Sequence, residues 1–188
     1  MSAVAPLIRR ANQASPTSYL YAFTLPLLSM FFAVVLGSIP WGVNQNSLFV
    51  PDLLAPTLFF WGVHQPRNVS ILIAFAFGLI TDIIDNTPLG SQALAYMIML
   101  LIAKSQASTL VHLGLFFKWG LFVLSIILFV ALKLLVSLGF YGHLATVATW
   151  PAALFSLQLV LVTSVAYVGI HLLLAAVNSA LPAPYFSR

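Results

Sequence analysis

The chain has no cysteine and only three acidic side chains, Asp52, Asp82 and Asp85, in 188 residues. The first absence excludes disulfides, thiol nucleophiles and thiolate metal sites, and leaves the compartment on either side unconstrained. The second confines any two-carboxylate chemistry to those three positions. The sequence contains none of the H-E-x-x-H, G-x-S-x-G or G-x-x-x-x-G-K-[ST] patterns, so metalloprotease, serine-hydrolase and phosphate-loop chemistry lack their residues. No cofactor is expected. His64, His112, His143 and His171 are far apart in the chain, fall on both sides of the membrane in the topology below, and form no metal constellation. Strand alternation is missing too, as are internal repeats and low-complexity tracts. A transmembrane barrel would show alternating segments of about ten residues, whereas these runs are continuously apolar.

Charge is scarce overall. Only 5% of residues are charged, where a soluble domain carries about 25%. The net charge of +4 is spread singly along the chain, which is not the clustered footprint of a nucleic-acid binder. What fills the chain is hydrophobicity, at 62% of residues. The expected class is therefore an all-α polytopic membrane protein with six transmembrane helices. The spans are expected at about residues 19–41, 48–63, 69–84, 91–107, 119–140 and 150–177. Residues 1–18 and 181–188 are short tails, and 19–180 form one membrane domain. Polar or Pro/Gly turns separate the spans at 42–47, 64–68, 85–90 and 141–149, with 108–118 as a linker or interfacial piece. Arg9 and Arg10 before an apolar run could mark a signal peptide, but the run is long for one and lacks a small-x-small cleavage site. It is read as a retained first helix.

Six spans place Arg9, Arg10, Arg67, Lys104, Lys118 and Arg188 on one side. The opposite turns hold no Lys or Arg, so both termini are expected in the cytoplasm. Trp41, Trp61, Trp119 and Trp150 fall near span ends, where aromatic belts form.

The segment 74–94 departs most from plain hydrophobicity. Ala74, Gly78 and Asp82 share a helix face. Small residues there let another backbone approach, and a carboxylate on the same stripe points into protein rather than lipid. The segment reads as the packing hinge of the bundle. Asp85 is expected to be a turn residue. Asp52 and Asp82 each lie fifteen residues from Arg67, and Lys133 lies fifteen from Lys118. Each is thus about 22 Å from its cytoplasmic anchor. Equal depth makes Asp82–Lys133 the leading ion pair. The alternative is that each charge snorkels to the outer interface, or that Asp52 caps its helix beside Pro51. A proton relay would need ionisable groups through the full thickness, and only His171 lies in the inner half.

The order Pro40-Trp41, Pro51-Asp52, Phe60-Trp61, Pro66-Arg67, Gly78-x-x-x-Asp82 and Leu89-Gly90 with Ala93-Leu94 resembles the rod shape-determining protein MreD family. The likeness covers about residues 39–103. Val50 stands where the family often has arginine, and the loop at Gln65-Pro66-Arg67 carries fewer basic residues than in many members. The resemblance implies a non-enzymatic subunit of the cell-elongation machinery in the bacterial inner membrane, with the bitopic protein MreC as partner. It further implies links to RodA, to a class B penicillin-binding protein and, indirectly, to MreB filaments. It also implies a bundle similar to the S-components of energy-coupling-factor transporters. A solute carrier of that type is the rival function, with a pocket near Asp52, Asp82, Asp85 and Asn86. Pro51, Asp52, Trp61, Arg67, Ala74, Gly78, Asp82, Leu89, Gly90 and Lys133 are the candidate structural and interaction residues.

Overall fold

The computed structural model describes residues 16–39, 51–141 and 150–180. Seven helices form there: α1 (Pro16–Gly37), α2 (Leu54–His64), α3 (Ile71–Ile84), α4 (Ser91–Ser105), α5 (Ala107–Leu110), α6 (Leu115–Tyr141) and α7 (Trp150–Ala180). Among the described residues there is no strand. Arg9, Arg10, Pro40, Trp41, Val50, His143 and Arg188, with the expected turn at 42–47 and most of that at 141–149, lie outside the described residues.

Two helices contain stretches long and apolar enough to cross a membrane, Leu115–Val136 in α6 and Ser156–Ser179 in α7. The apolar parts of α1, α3 and α4 are shorter. The expected linker at 108–118 is itself largely structured: α5 occupies its start, and α6 begins at Leu115.

The largest departure from the sequence reading is α2. Eleven residues rise only about 16 Å, against a hydrocarbon thickness of about 30 Å. Every residue from Leu54 to Val63 is buried. The helix packs against α1, α4, α5, α6 and α7, so the expected second span is the axis of the bundle. Trp61, expected in an interfacial belt, is fully buried. Its indole N–H donates to Ser29 Oγ on α1 at 2.7 Å. The sequence could not separate these cases, because a helix apolar on all sides suits either a lipid-facing span or a core.

Around α2 the core is aromatic. Phe59 meets Phe122 and Tyr167 edge to face, and Phe122 stacks on Tyr167 at 4.4 Å. These contacts join α2, α6 and α7. Close packing of this kind, rather than removal of apolar surface from water, holds helices together in lipid.

Two glycines set how near α4 comes to its neighbours. A Cβ at Gly78 would lie 2.3 Å from Ala93 Cα and 2.7 Å from Ala93 N, so α3 and α4 touch backbone to backbone. A Cβ at Gly62 would lie 2.8 Å from Leu100 Cδ1 and 2.9 Å from Ala103 Cβ. Ala74, Gly78, Thr81 and Asp82 are the buried residues of α3, and α3 packs on α4 more extensively than any other pair of helices.

The helices alternate in direction. The end of α1, the start of α2, the end of α3 and the start of α4 converge on one cavity, together with Lys133 of α6 and Leu159 of α7. The end of α2, the turn after it, and α5 meet around a second pocket.

Candidate functional site

The first polar centre grows from the turn between α3 and α4. Asn86 and Gly90 both take left-handed backbone, at φ +52° and +94°. That conformation suits Asn and Gly. Gly90 stands at the N-cap of α4 and has no side chain to cap it. Asp82 supplies the cap from the preceding helix. Its Oδ2 accepts from Gly90 N–H at 2.8 Å. Its Oδ1 accepts from Gln92 N–H, Ser91 Oγ and Thr87 Oγ1 at 2.9, 2.9 and 2.8 Å. Asp82 is fully buried. A carboxylate here satisfies helix-terminal N–H groups and sits at the positive end of the α4 dipole. Asp85, exposed at the end of α3, accepts from Gln92 Nε2 at 2.6 Å. Leu89 projects outward, 67% exposed.

The second centre is Asp52. Its Oδ1 accepts from Leu54 N–H and Ala55 N–H at 3.1 and 3.0 Å, capping α2. Its Oδ2 accepts from the Tyr96 hydroxyl of α4 at 2.8 Å, and its own N–H reaches Thr163 Oγ1 of α7 at 3.3 Å. Three helices thus meet at one residue. Pro51, Asp52, Asp85, Gln92, Tyr96 and Lys133 line a cavity of about 290 Å³ whose walls otherwise come mainly from apolar side chains of α1, α2, α3 and α7.

Lys133 belongs to this cavity and not to Asp82. Its ammonium lies 5.5 Å from the centroid of the Phe129 ring, and it lines the same cavity as Asp52. The expected Asp82–Lys133 pair is therefore corrected: the Asp82 oxygens are taken up by the turn and helix that follow it. Matching depth fixes height along the bundle but not the direction in which each helix face points.

At the opposite end the histidines are less scattered than their spacing suggests. The His64 and His171 rings lie 5.5 Å apart, and His64 stacks on Phe60 at 4.1 Å. His171 Nδ1 is 3.3 Å from the Tyr167 hydroxyl. The separation of 107 residues hid this pair, and the shared apolar surroundings gave no motif to find it by. His64, Arg67 and His112 line a pocket of about 380 Å³, with Arg67 exposed on the turn between α2 and α3. Among the described residues, no three His or Asp side chains come together as metal ligands. Gly62, which the sequence reading did not single out, joins Gly78 as a close-approach position; its only signal was a small residue within an apolar run.

Two of the carboxylates, Asp52 and Asp82, act as caps that tie helix starts to neighbouring helices. The arrangement is built for fixed packing, with a cavity left at the Asp52 end. No curated protein and no solved structure matches the chain. A family model, rod shape-determining protein MreD, matches residues 17–174. That match runs from α1 to near the end of α7, well beyond the segment 39–103 that carries the motifs, and the chain belongs to the rod shape-determining MreD family.

Proposed function

We propose that this chain is a non-enzymatic integral subunit of the bacterial cell-elongation complex. It binds MreC and helps to organise peptidoglycan synthesis through RodA and a class B penicillin-binding protein, with MreB filaments reached indirectly. The observation that carries this reading is the family match over residues 17–174. The bundle supports it, since the Asp52 and Asp82 carboxylates are engaged in capping and in bonds between helices. Arg67 follows α2, Lys104 lies in the last turn of α4 and Lys118 in the first turn of α6, and the alternation of helix direction supports grouping these cations at one end. The positive-inside rule makes that end cytoplasmic, along with both termini, in the inner membrane. MreC is engaged within the bilayer. The face of α1 that turns Phe31 and Phe32 outward, 56% and 58% exposed, is the aromatic surface offered to its membrane helix.

The test is affinity purification of the tagged chain in mild detergent with mass spectrometry of what stays bound. Recovery of a bitopic periplasmic scaffold protein together with the peptidoglycan synthase is the expected result. The cavity beside Asp52 and Lys133 favours one second reading, a small-solute-binding subunit of the S-component type. A concave, mainly apolar cavity with a few convergent polar groups is what a carrier requires. Recovery of a transmembrane coupling subunit with two ATPases would move the assignment there.

A further inference from the structure

We infer that the pocket between the end of α2, the 65–68 turn and α5 binds the phosphate headgroup of an anionic phospholipid. The inference rests on the membrane assignment above and adds a ligand to it. Arg67, His64 and His112 line this pocket with Gln65, Asn68 and Ser108. All three acidic side chains of the chain are Asp52, Asp82 and Asp85. Asp52 and Asp85 line the cavity at the other end of the bundle, and Asp82 caps α4 beside it. The length of α2, about 16 Å, separates the two ends. No side-chain carboxylate therefore neutralises the Arg67 end.

An arginine fork matches phosphate oxygens in a bidentate manner, and basic pockets between membrane helices take anionic headgroups. The apolar surroundings favour a lipid over a soluble anion. Val111, on the pocket wall, is 47% exposed, and Phe116 and Phe117 in the first turn of α6 are 86% and 68% exposed. A headgroup held at Arg67 has its acyl chains directed along these side chains. The polar groups Gln65 and Asn68 are bonded to each other at 3.0 Å, which fixes the shape of the turn that presents Arg67.

The experiment places the full chain in nanodiscs of equal parts phosphatidylglycerol and phosphatidylcholine and counts the lipids retained by native mass spectrometry. The wild-type chain is expected to keep phosphatidylglycerol selectively. Arg67→Gln should lower that selectivity about fivefold, His112→Gln should lower it less, and Arg67→Lys should restore part of it. Lys104→Gln removes a cation at the same end that does not line the pocket, and should leave the selectivity intact. Equal losses for Arg67→Gln and Lys104→Gln would reduce the effect to diffuse attraction and overturn the site. Displacement of the lipid by millimolar inorganic phosphate would reassign the pocket to a soluble anion. A chain that fails to enter nanodiscs at all would overturn the membrane assignment itself, whereas intact insertion without selectivity overturns the headgroup site alone.

Discussion

Asp82 and Gly90 are joined by a 2.8 Å hydrogen bond from the Gly90 N–H to Asp82 Oδ2, so the last turn of α3 caps the first turn of α4. Gly90 needs φ +94° to bring the chain back toward Asp82. The same carboxylate takes three further bonds from Thr87, Ser91 and Gln92. Asp82→Ala leaves the buried Gln92 N–H and Ser91 hydroxyl without this acceptor. Each uncompensated buried donor costs about 1–3 kcal/mol, so a loss of roughly 2–6 kcal/mol is expected in reversible unfolding from detergent micelles. Asp82→Asn, which keeps one acceptor oxygen, should cost less. An unchanged midpoint for Asp82→Ala would remove the capping role.

The same geometry fixes the outcome of a double-mutant cycle between Asp82 and Lys133. Asp82 is bonded within the α3–α4 turn, and Lys133 lines the Asp52 cavity. The two substitutions should add to within about 0.5 kcal/mol. The Asp52–Tyr96 pair, in contact at 2.8 Å, should show a coupling of about 0.5–3 kcal/mol in the same assay. The opposite pattern would restore the pair suggested by depth.

Gly78 and Gly62 should differ in tolerance. An added Cβ at Gly78 strikes the Ala93 backbone at 2.3 Å, which can give way only if two helices part. At Gly62 the nearest atom is the end of the Leu100 side chain, which can rotate, although Ala103 Cβ at 2.9 Å still resists. Overpacking typically costs about 1–3 kcal/mol. Gly78→Ala is expected at or above the top of that range and Gly62→Ala nearer the bottom, as read by thermal aggregation in detergent. Equal tolerance of alanine at both positions would contradict the close α3–α4 contact.

Much of this was legible in the sequence, and the parts that were not share a cause. The helical character, the Ala74–Gly78–Asp82 stripe and the turn at 85–90 come from local signals: small-residue spacing, an intramembrane carboxylate and Asn/Pro/Gly punctuation. Asp52 as a cap was one of two local options beside Pro51, and its bonds to Leu54 and Ala55 settle it. The failures are non-local. Whether Leu54–Val63 faces lipid or protein depends on what surrounds it, and an all-apolar helix carries no record of that. The partner of Lys133 depends on the rotation of α6, and the meeting of His64 with His171 on how α7 folds back against α2. Position along each helix could be counted from the chain, but azimuth could not.

The last prediction concerns the partner surface. Phe31 and Phe32 on α1 are 56% and 58% exposed, with their rings 6.1 Å apart in an edge-to-face arrangement. Met30, Ala33 and Val34, spaced three and four apart, are buried, so α1 has distinct inner and outer faces. Replacing both phenylalanines by alanine removes outer aromatic area without opening the core. Stability in detergent should therefore change little, within about 0.5 kcal/mol as for ordinary surface positions. Retention of MreC in affinity purification should fall about tenfold if these rings anchor the partner helix, since an aromatic anchor is worth 1 kcal/mol or more. Met30→Ala is the contrasting variant: it empties core volume at a cost of about 2–5 kcal/mol, and lowers partner recovery only in step with the amount of folded protein. If Phe31→Ala/Phe32→Ala retains MreC at the wild-type level, the partner helix docks elsewhere on the bundle.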